Sequence, residues 1–202
     1  MKINFKSCLV AVALLASVSS FAQGAGAVKF GVNAGVNLSN IAGDIDNTDA
    51  KIGFQAGVTA DYYLTEAVFL QSGLSYTTKG YKTGDDDSGV KGTLGYLQLP
   101  IKVGYAIPVS DGFSVNLNAG PYLAYGISGK TKTTLLGKEI SKVDSFNDGT
   151  NKFDFGIGGG VGAEFGAIAV NLHYEYGLSN YTKTDNVSIH NTNAYLTLGY
   201  KF

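Results

Sequence analysis

From Val28 to the C-terminus one pattern dominates the chain. Val28, Phe30, Val32, Ala34, Val36 and Leu38 alternate with Lys29, Gly31, Asn33, Gly35 and Asn37. A period of two sends successive side chains to opposite faces of a strand. The same alternation recurs over 52–62, 68–76, 97–107, 113–127, 153–165, 168–178 and 194–202, giving eight candidate strands. No later stretch carries helical i, i+3, i+4, i+7 spacing for more than a turn or two, so the sequence predicts an all-β fold.

The connections alternate in length. Short ones fall at 63–67, 108–112 and 166–167, and long polar ones at 39–51, 79–93, 128–151 and 179–193. In an up-and-down antiparallel barrel, odd and even connections leave opposite rims, so the four long loops share one side. Outer-membrane barrels have this asymmetry, and they need about ten residues per tilted strand.

Alternation alone does not say which face points outward, because a soluble eight-stranded barrel is apolar inside. Volume decides. One face carries Phe30, Phe54, Tyr62, Tyr105, Phe113, Tyr125, Phe153, Phe155, Phe165, Tyr174, Tyr176, Tyr200 and Phe202. That is too much bulk for an interior which side chains barely fill at eight strands. The other face interleaves glycines with Gln55, Gln71, Gln98, Asn116, Asn118 and Asn171. The expected fold is an eight-stranded transmembrane β-barrel with a polar lumen, placed in a bacterial outer membrane and surrounded by lipid and lipopolysaccharide.

The N-terminus reads as a separate element. Lys2 and Lys6 precede an apolar run from Cys8 to Val18, and Ser20-Phe21-Ala22 supplies the small residues of a cleavage site. Residues 1–22 are expected to be a signal peptide and 23–202 the barrel domain. Cys8, the one cysteine, lies in the leader, so the exported domain has no disulfide. Charged residues are only 15% of the chain, the formal net charge is −1, and all fifteen basic residues are lysines. Nucleic-acid binding is excluded on that basis, since it needs a basic surface and profits from guanidinium groups.

Four segments carry a family resemblance. They are Phe30-Gly-Val-Asn-Ala-Gly-Val-Asn-Leu-Ser39, Leu97-Gln-Leu-Pro-Ile-Lys102, Gly120-Pro-Tyr-Leu123 and Tyr195-Leu-Thr-Leu-Gly-Tyr-Lys-Phe202. Together they resemble the small outer-membrane β-barrel family common in Bacteroidetes, of the porin-family or PorT-like type. The resemblance implies insertion by the outer-membrane assembly machinery, which reads a C-terminal strand ending in an aromatic. Leu198, Tyr200 and Phe202 match that signal, while Thr197 stands where such signals often carry glycine.

Few residues carry chemistry. His173 and Glu175 share a predicted lumenal face with Lys102, Asp154, Glu164 and Lys201 on other strands. A proton relay or metal site needs such groups. Ionisable groups in a narrow lumen must also be paired or hydrogen-bonded, so a Lys-Glu-His network that plugs the barrel accounts for them without catalysis, cofactor or metal. Gly158-Gly-Gly160-Val-Gly-Ala163 matches a relaxed dinucleotide pattern, but no helix follows it, and alternate glycines fit a strand making room for large neighbours. The acidic tips, Asp44, Asp46 and Asp49 and then Asp85 to Asp87, do not match a calcium loop, whose sixth and twelfth positions would here be Asp49 and Gln55.

The functional expectation is a non-enzymatic barrel serving envelope integrity or surface interaction. Its four long loops are the candidate contacts for an unknown protein or polysaccharide, and Lys130, Lys132, Lys138 and Lys142 mark the longest of them. A narrow porin for water, ions or small solutes is the alternative, and a lipid-modifying enzyme is disfavoured because no serine pairs with His173.

Overall fold

A computed structural model describes residues 25–45, 47–85, 87–146, 150–184 and 186–202. The candidate leader 1–22 lies outside them. Nine strands follow one another: β1 (Val28–Gly43), β2 (Thr48–Tyr63), β3 (Val68–Gly84), β4 (Gly89–Ser110), β5 (Phe113–Leu135), β6 (Lys138–Asp144), β7 (Phe153–Phe165), β8 (Ile168–Gly177) and β9 (Ile189–Lys201). All pairings are antiparallel. β1 joins both β2 and β9, and β5 joins both β4 and β7, so eight strands close a ring and β6 is a ninth strand on the upper part of β5.

Three of the four long connections are therefore not loops over the ranges expected. β1 and β2 run on until four residues separate them, β3 and β4 likewise, and 128–151 contains the β5–β6 hairpin. Segment 179–193 stays largely irregular before β9 begins at Ile189. The physical reason is that strands outlast the apolar belt: beyond it the outer face is no longer required to be apolar, alternation fades, and the backbone keeps its ladder. The barrel has a short-turn rim at 64–67, 111–112 and 166–167, and a long rim built of hairpins.

Burial is inverted relative to a water-soluble domain. Leu38, Phe54, Val103, Tyr105, Tyr125, Ile157, Phe165, Leu172, Leu198 and Tyr200 are exposed, whereas Asn37, Gln98, Lys102, Asn116, Asp154 and Glu175 are buried. Aromatics edge the outer surface at both ends. Tyr62, Tyr105, Phe113, Phe165 and Tyr200 lie by the short turns; Phe54, Tyr76, Tyr125 and Phe153 lie six or more residues below the hairpin tips. Among the described residues no helix is long and apolar enough to cross a membrane. The strands have the alternation and aromatic edges to do so.

Candidate functional site

The lumen is filled by side-chain bonds between strands, in three tiers. Nearest the short-turn rim, Lys201 on β9 donates to Asp61 Oδ2 on β2 at 2.6 Å and to Glu164 Oε1 on β7. Gln71 Nε2 donates to the other Asp61 oxygen at 2.8 Å, and Asn116 Nδ2 to Glu164 at 3.0 Å. Two carboxylates that would repel each other are held by one ammonium and two amides. Tyr63 and Phe69 pack as a tilted pair just below them with Ala27.

In the middle tier Lys102 Nζ donates to Tyr195 Oη at 3.0 Å, and that hydroxyl donates to Glu175 Oε1 at 2.9 Å. Gln98 Nε2 reaches both Glu175 oxygens, at 2.9 and 3.0 Å. His173 Nε2 lies 2.8 Å from Asn118 Oδ1, and its ring stacks on Tyr195 at 5.0 Å and 16°. Beside it is a cavity of about 50 Å³, room for a few waters. Asn33, Gln55, Gln98 and His173 line it, and each has a buried polar atom without a partner among the described residues.

The upper tier centres on Lys79, 1% exposed. Its Nζ is 3.1 Å from Asp154 Oδ2, 4.0 Å from Glu175 Oε2, and 4.3 and 5.5 Å from the ring centres of Tyr122 and Tyr96. Asp154 also accepts from Asn191 Nδ2 at 3.2 Å and Ser179 Oγ at 2.8 Å. Above it, Leu94, Tyr96, Tyr122 and Ala124 form an apolar cap covered by Phe146 and Tyr181. Tyr181 donates to the Ser145 carbonyl at 3.0 Å, and burial pushes its phenol above the ordinary range.

All six candidate ionisable residues thus face the lumen, but not as one Lys-Glu-His network. His173 bonds to Asn118 and not to a charged group. The reason is spacing: inward positions two apart on a strand are about 7 Å from each other, so Glu175 reaches across to Gln98 of β4 while His173 meets Asn118 of β5 over Gly160, the β7 residue registered with both. Lys79 and Asp61, both fully buried, were absent from the sequence-derived set, as were the inward rings of Tyr96, Tyr122 and Tyr195. Parity would have found most of them: Asp61 alternates with outward Tyr62, Tyr122 with Leu123, and Tyr195 with Leu196. The alternate glycines of β7 make the room. A Cβ on Gly158 would stand 2.6 Å from Glu175 Cγ, one on Gly156 2.7 Å from the Tyr122 ring, and one on Gly160 would enter the His173 ring.

At the C-terminal strand, Leu198 and Tyr200 point outward, and Phe202 exchanges two backbone bonds with Phe30, at 2.9 and 3.2 Å. Among the described residues there is no cluster of three or more His, Cys, Asp or Glu placed to hold a metal.

The outer membrane protein beta-barrel domain matches residues 21–183. The chain belongs to this family. Its closed ring, apolar outer wall and aromatic edges are those of a protein resident in the bacterial outer membrane. Among solved structures, neisserial surface protein A is similar at 16% identity, with a TM-score of 0.50 over 86% of this chain and 97% of that one. Ail, the attachment invasion locus protein of Yersinia pestis, is similar at 16% identity and a TM-score of 0.46, over 86% and 98% of the two chains. The N-terminal β-barrel domain of Pseudomonas aeruginosa OprF gives 15% and 0.39, over 89% and 100%. At such identity the first likeness concerns the fold alone. No curated protein matches the chain.

Proposed function

We propose that this outer-membrane barrel is a non-enzymatic envelope protein with a closed lumen, whose long rim faces outside the cell and carries its contacts. The observation behind the reading is the three-tier network. Lys201, Lys102 and Lys79 each reach across the barrel to groups on other strands, so the interior is occupied by bonds that hold the wall together. His173 Nε2 is engaged with Asn118, and among the described residues no Ser, Thr or Cys side chain is hydrogen-bonded to either ring nitrogen, so no side-chain nucleophile is paired with it. We assign the chain to the PorT-like barrels of the Bacteroidetes type, exported by the leader at 1–22 and inserted by the assembly machinery through Leu198, Tyr200 and Phe202. Lipopolysaccharide and a protein or polysaccharide partner at the long rim are the proposed contacts.

The cavity beside His173 favours one second reading, a narrow passage for water or ions. Planar bilayers separate the two. The closed barrel predicts a silent membrane at high protein load, and stable unitary currents would establish the pore. The Lys79→Ala variant, which removes the ammonium from the upper tier, should raise background leak without giving steady unitary steps.

A further inference from the structure

Above the aromatic edge the strand register sets lysines side by side. Lys82 on β3 stands opposite Lys91 on β4, Lys91 opposite Lys132 on β5, and Lys132 opposite Lys142 on β6. Residues directly opposite in an antiparallel sheet share a face, so the four side chains form one row. With strands about 4.8 Å apart, the row is roughly 14 Å long. Its face follows from parity. Leu94, buried in the cap, stands opposite lumenal Lys79, and Lys91 is an odd number of positions away, on the outer wall. All four lysines are exposed.

Like charges directly opposite one another destabilise a sheet. Neutralisation here is partial. Glu139 binds Lys132 at 2.8 Å, and that bond holds its carboxyl below the ordinary range. Asp49 stands opposite Lys82, and Asp144 opposite Lys130 on the same face. Lys82, Lys91 and Lys142 make no ion pair among the described residues. Backbone pairing, not side-chain contact, keeps these ammonium groups together, so a polyanion would find its counter-charges already aligned.

Height and direction select the polyanion. Lys82 lies six residues beyond Tyr76, the last outward aromatic of β3, which at 3.3 Å per residue and a tilt near 40° places the row about 15 Å above the hydrocarbon edge. It looks sideways, along the membrane plane, where its neighbours are the headgroups of the same leaflet. We propose that the Lys82–Lys91–Lys132–Lys142 row is a binding site for the phosphorylated core saccharide of adjacent lipopolysaccharide. This rests on the outward placement of the long rim. Lysine suits the task, being a mobile point charge that follows phosphates of uneven spacing.

The test uses the full-length protein purified from outer membranes in a non-ionic detergent. Binding is measured to rough-type lipopolysaccharide with a phosphorylated core, to the same material stripped of phosphate, and to soluble polyphosphate. The variant Lys82→Gln/Lys91→Gln/Lys132→Gln/Lys142→Gln is compared with Lys138→Gln/Lys152→Gln/Lys183→Gln, and heat-dependent gel mobility confirms that both fold. The row variant should bind the phosphorylated lipopolysaccharide about tenfold more weakly, the control variant as wild type. Equal binding by row variant and wild type, or by phosphorylated and stripped lipopolysaccharide, overturns the proposal. Row-dependent binding of polyphosphate without lipopolysaccharide binding also overturns it, in favour of a soluble polyanion. An impermeant maleimide on intact cells carrying Lys142→Cys separates the premise from the proposal. Labelling confirms the external rim, so a binding failure then counts against the row alone, whereas protection in intact cells but not in lysed ones refutes the external rim and the site with it.

Discussion

Lys201 and Asp61 meet at 2.6 Å inside the lumen over β1, tying the last barrel strand to the second. The same ammonium holds Glu164 of β7. Replacing Lys201 by Met leaves two buried carboxylates without their counter-ion, a change that costs about 3–5 kcal/mol when one partner of a buried pair is removed. The expected outcome is a lower urea midpoint in detergent for Lys201→Met. The triple variant Asp61→Asn/Glu164→Gln/Lys201→Met, which removes every charge at once, should recover most of the loss. No recovery would show that the site contributes through packing and not through charge.

Gly160 and Gly159 offer a contrast between neighbours. A Cβ at Gly160 would meet the Leu172 carbonyl and the His173 ring, whereas one at Gly159 meets nothing nearer than 3.2 Å. Overpacking a filled interior costs about 1–3 kcal/mol. Gly160→Ala should therefore lower the unfolding midpoint and shift the His173 ring resonances, while Gly159→Ala leaves both near wild type.

How much of this was readable beforehand depended on height along the barrel. Within the apolar belt, alternation located every strand and put Lys102, Asp154, Glu164, His173, Glu175 and Lys201 on the inner face, where they lie. Above the belt, lipid no longer demands apolar residues outside. Ser75, Thr77 and Lys79 continue the inward parity of Gln71 and Gly73, but the intervening Thr78 and Gly80 are no longer apolar, so the key lysine of the upper tier reads as loop. β6 was hidden for a different reason. Its turn uses Leu136 at φ 50° and Gly137 at φ 73°. A two-residue hairpin of this type normally announces itself by Asn-Gly or Asp-Gly, and leucine in that conformation gives no signal. Cross-barrel partners such as Gln98 for Glu175 follow from which strands face each other across the lumen, which no local pattern carries.

Leu172 and Asn171 test the facing directly. Leu172 is 54% exposed on the outer wall, and Asn171 lines the cavity. Leu172→Lys should cost about 2–4 kcal/mol if it lies near the bilayer midplane, and Asn171→Lys should cost less. Folding yields in lipid vesicles measure both, and the reverse order would contradict the lipid-facing assignment of the apolar wall.

Tyr181 closes the cap with its phenol protonated, and burial raises its pKa above the unfolded value near 10. The sign is that of an acid favoured in its neutral form: its contribution is intact below about pH 10 and declines as pH rises past that point, because only the unpacked loop ionises readily. Protease susceptibility of 178–188 should increase above about pH 10 in wild type, and Tyr181→Phe, which cannot ionise, should remove that rise. A pH profile unchanged by Tyr181→Phe would detach the cap from this phenol.

Phe202 and Tyr200 end the chain at the seam where the ring closes. Their rings lie 6.4 Å apart, and Phe202 is fixed to Phe30 by two backbone bonds while the Lys201 amide donates to the Ala167 carbonyl at 2.7 Å. A terminus so paired is not a frayed end. In lipid, an unclosed seam would leave N–H and C=O groups without partners at several kcal/mol each, so the last strand must find β1 before the barrel is stable. Replacing Tyr200 and Phe202 together by Ser preserves the backbone pairing capacity and removes the outer aromatics. If those rings are what the assembly machinery reads, the variant should accumulate in the periplasm as unfolded, exported chain, yet fold in detergent when refolded from urea. If they act only as interfacial anchors, refolding in detergent falls as much as membrane insertion does. Comparing heat-modifiable protein in outer-membrane fractions with the refolded yield decides between recognition and anchoring, and wild-type levels in both would show that neither role belongs to these residues.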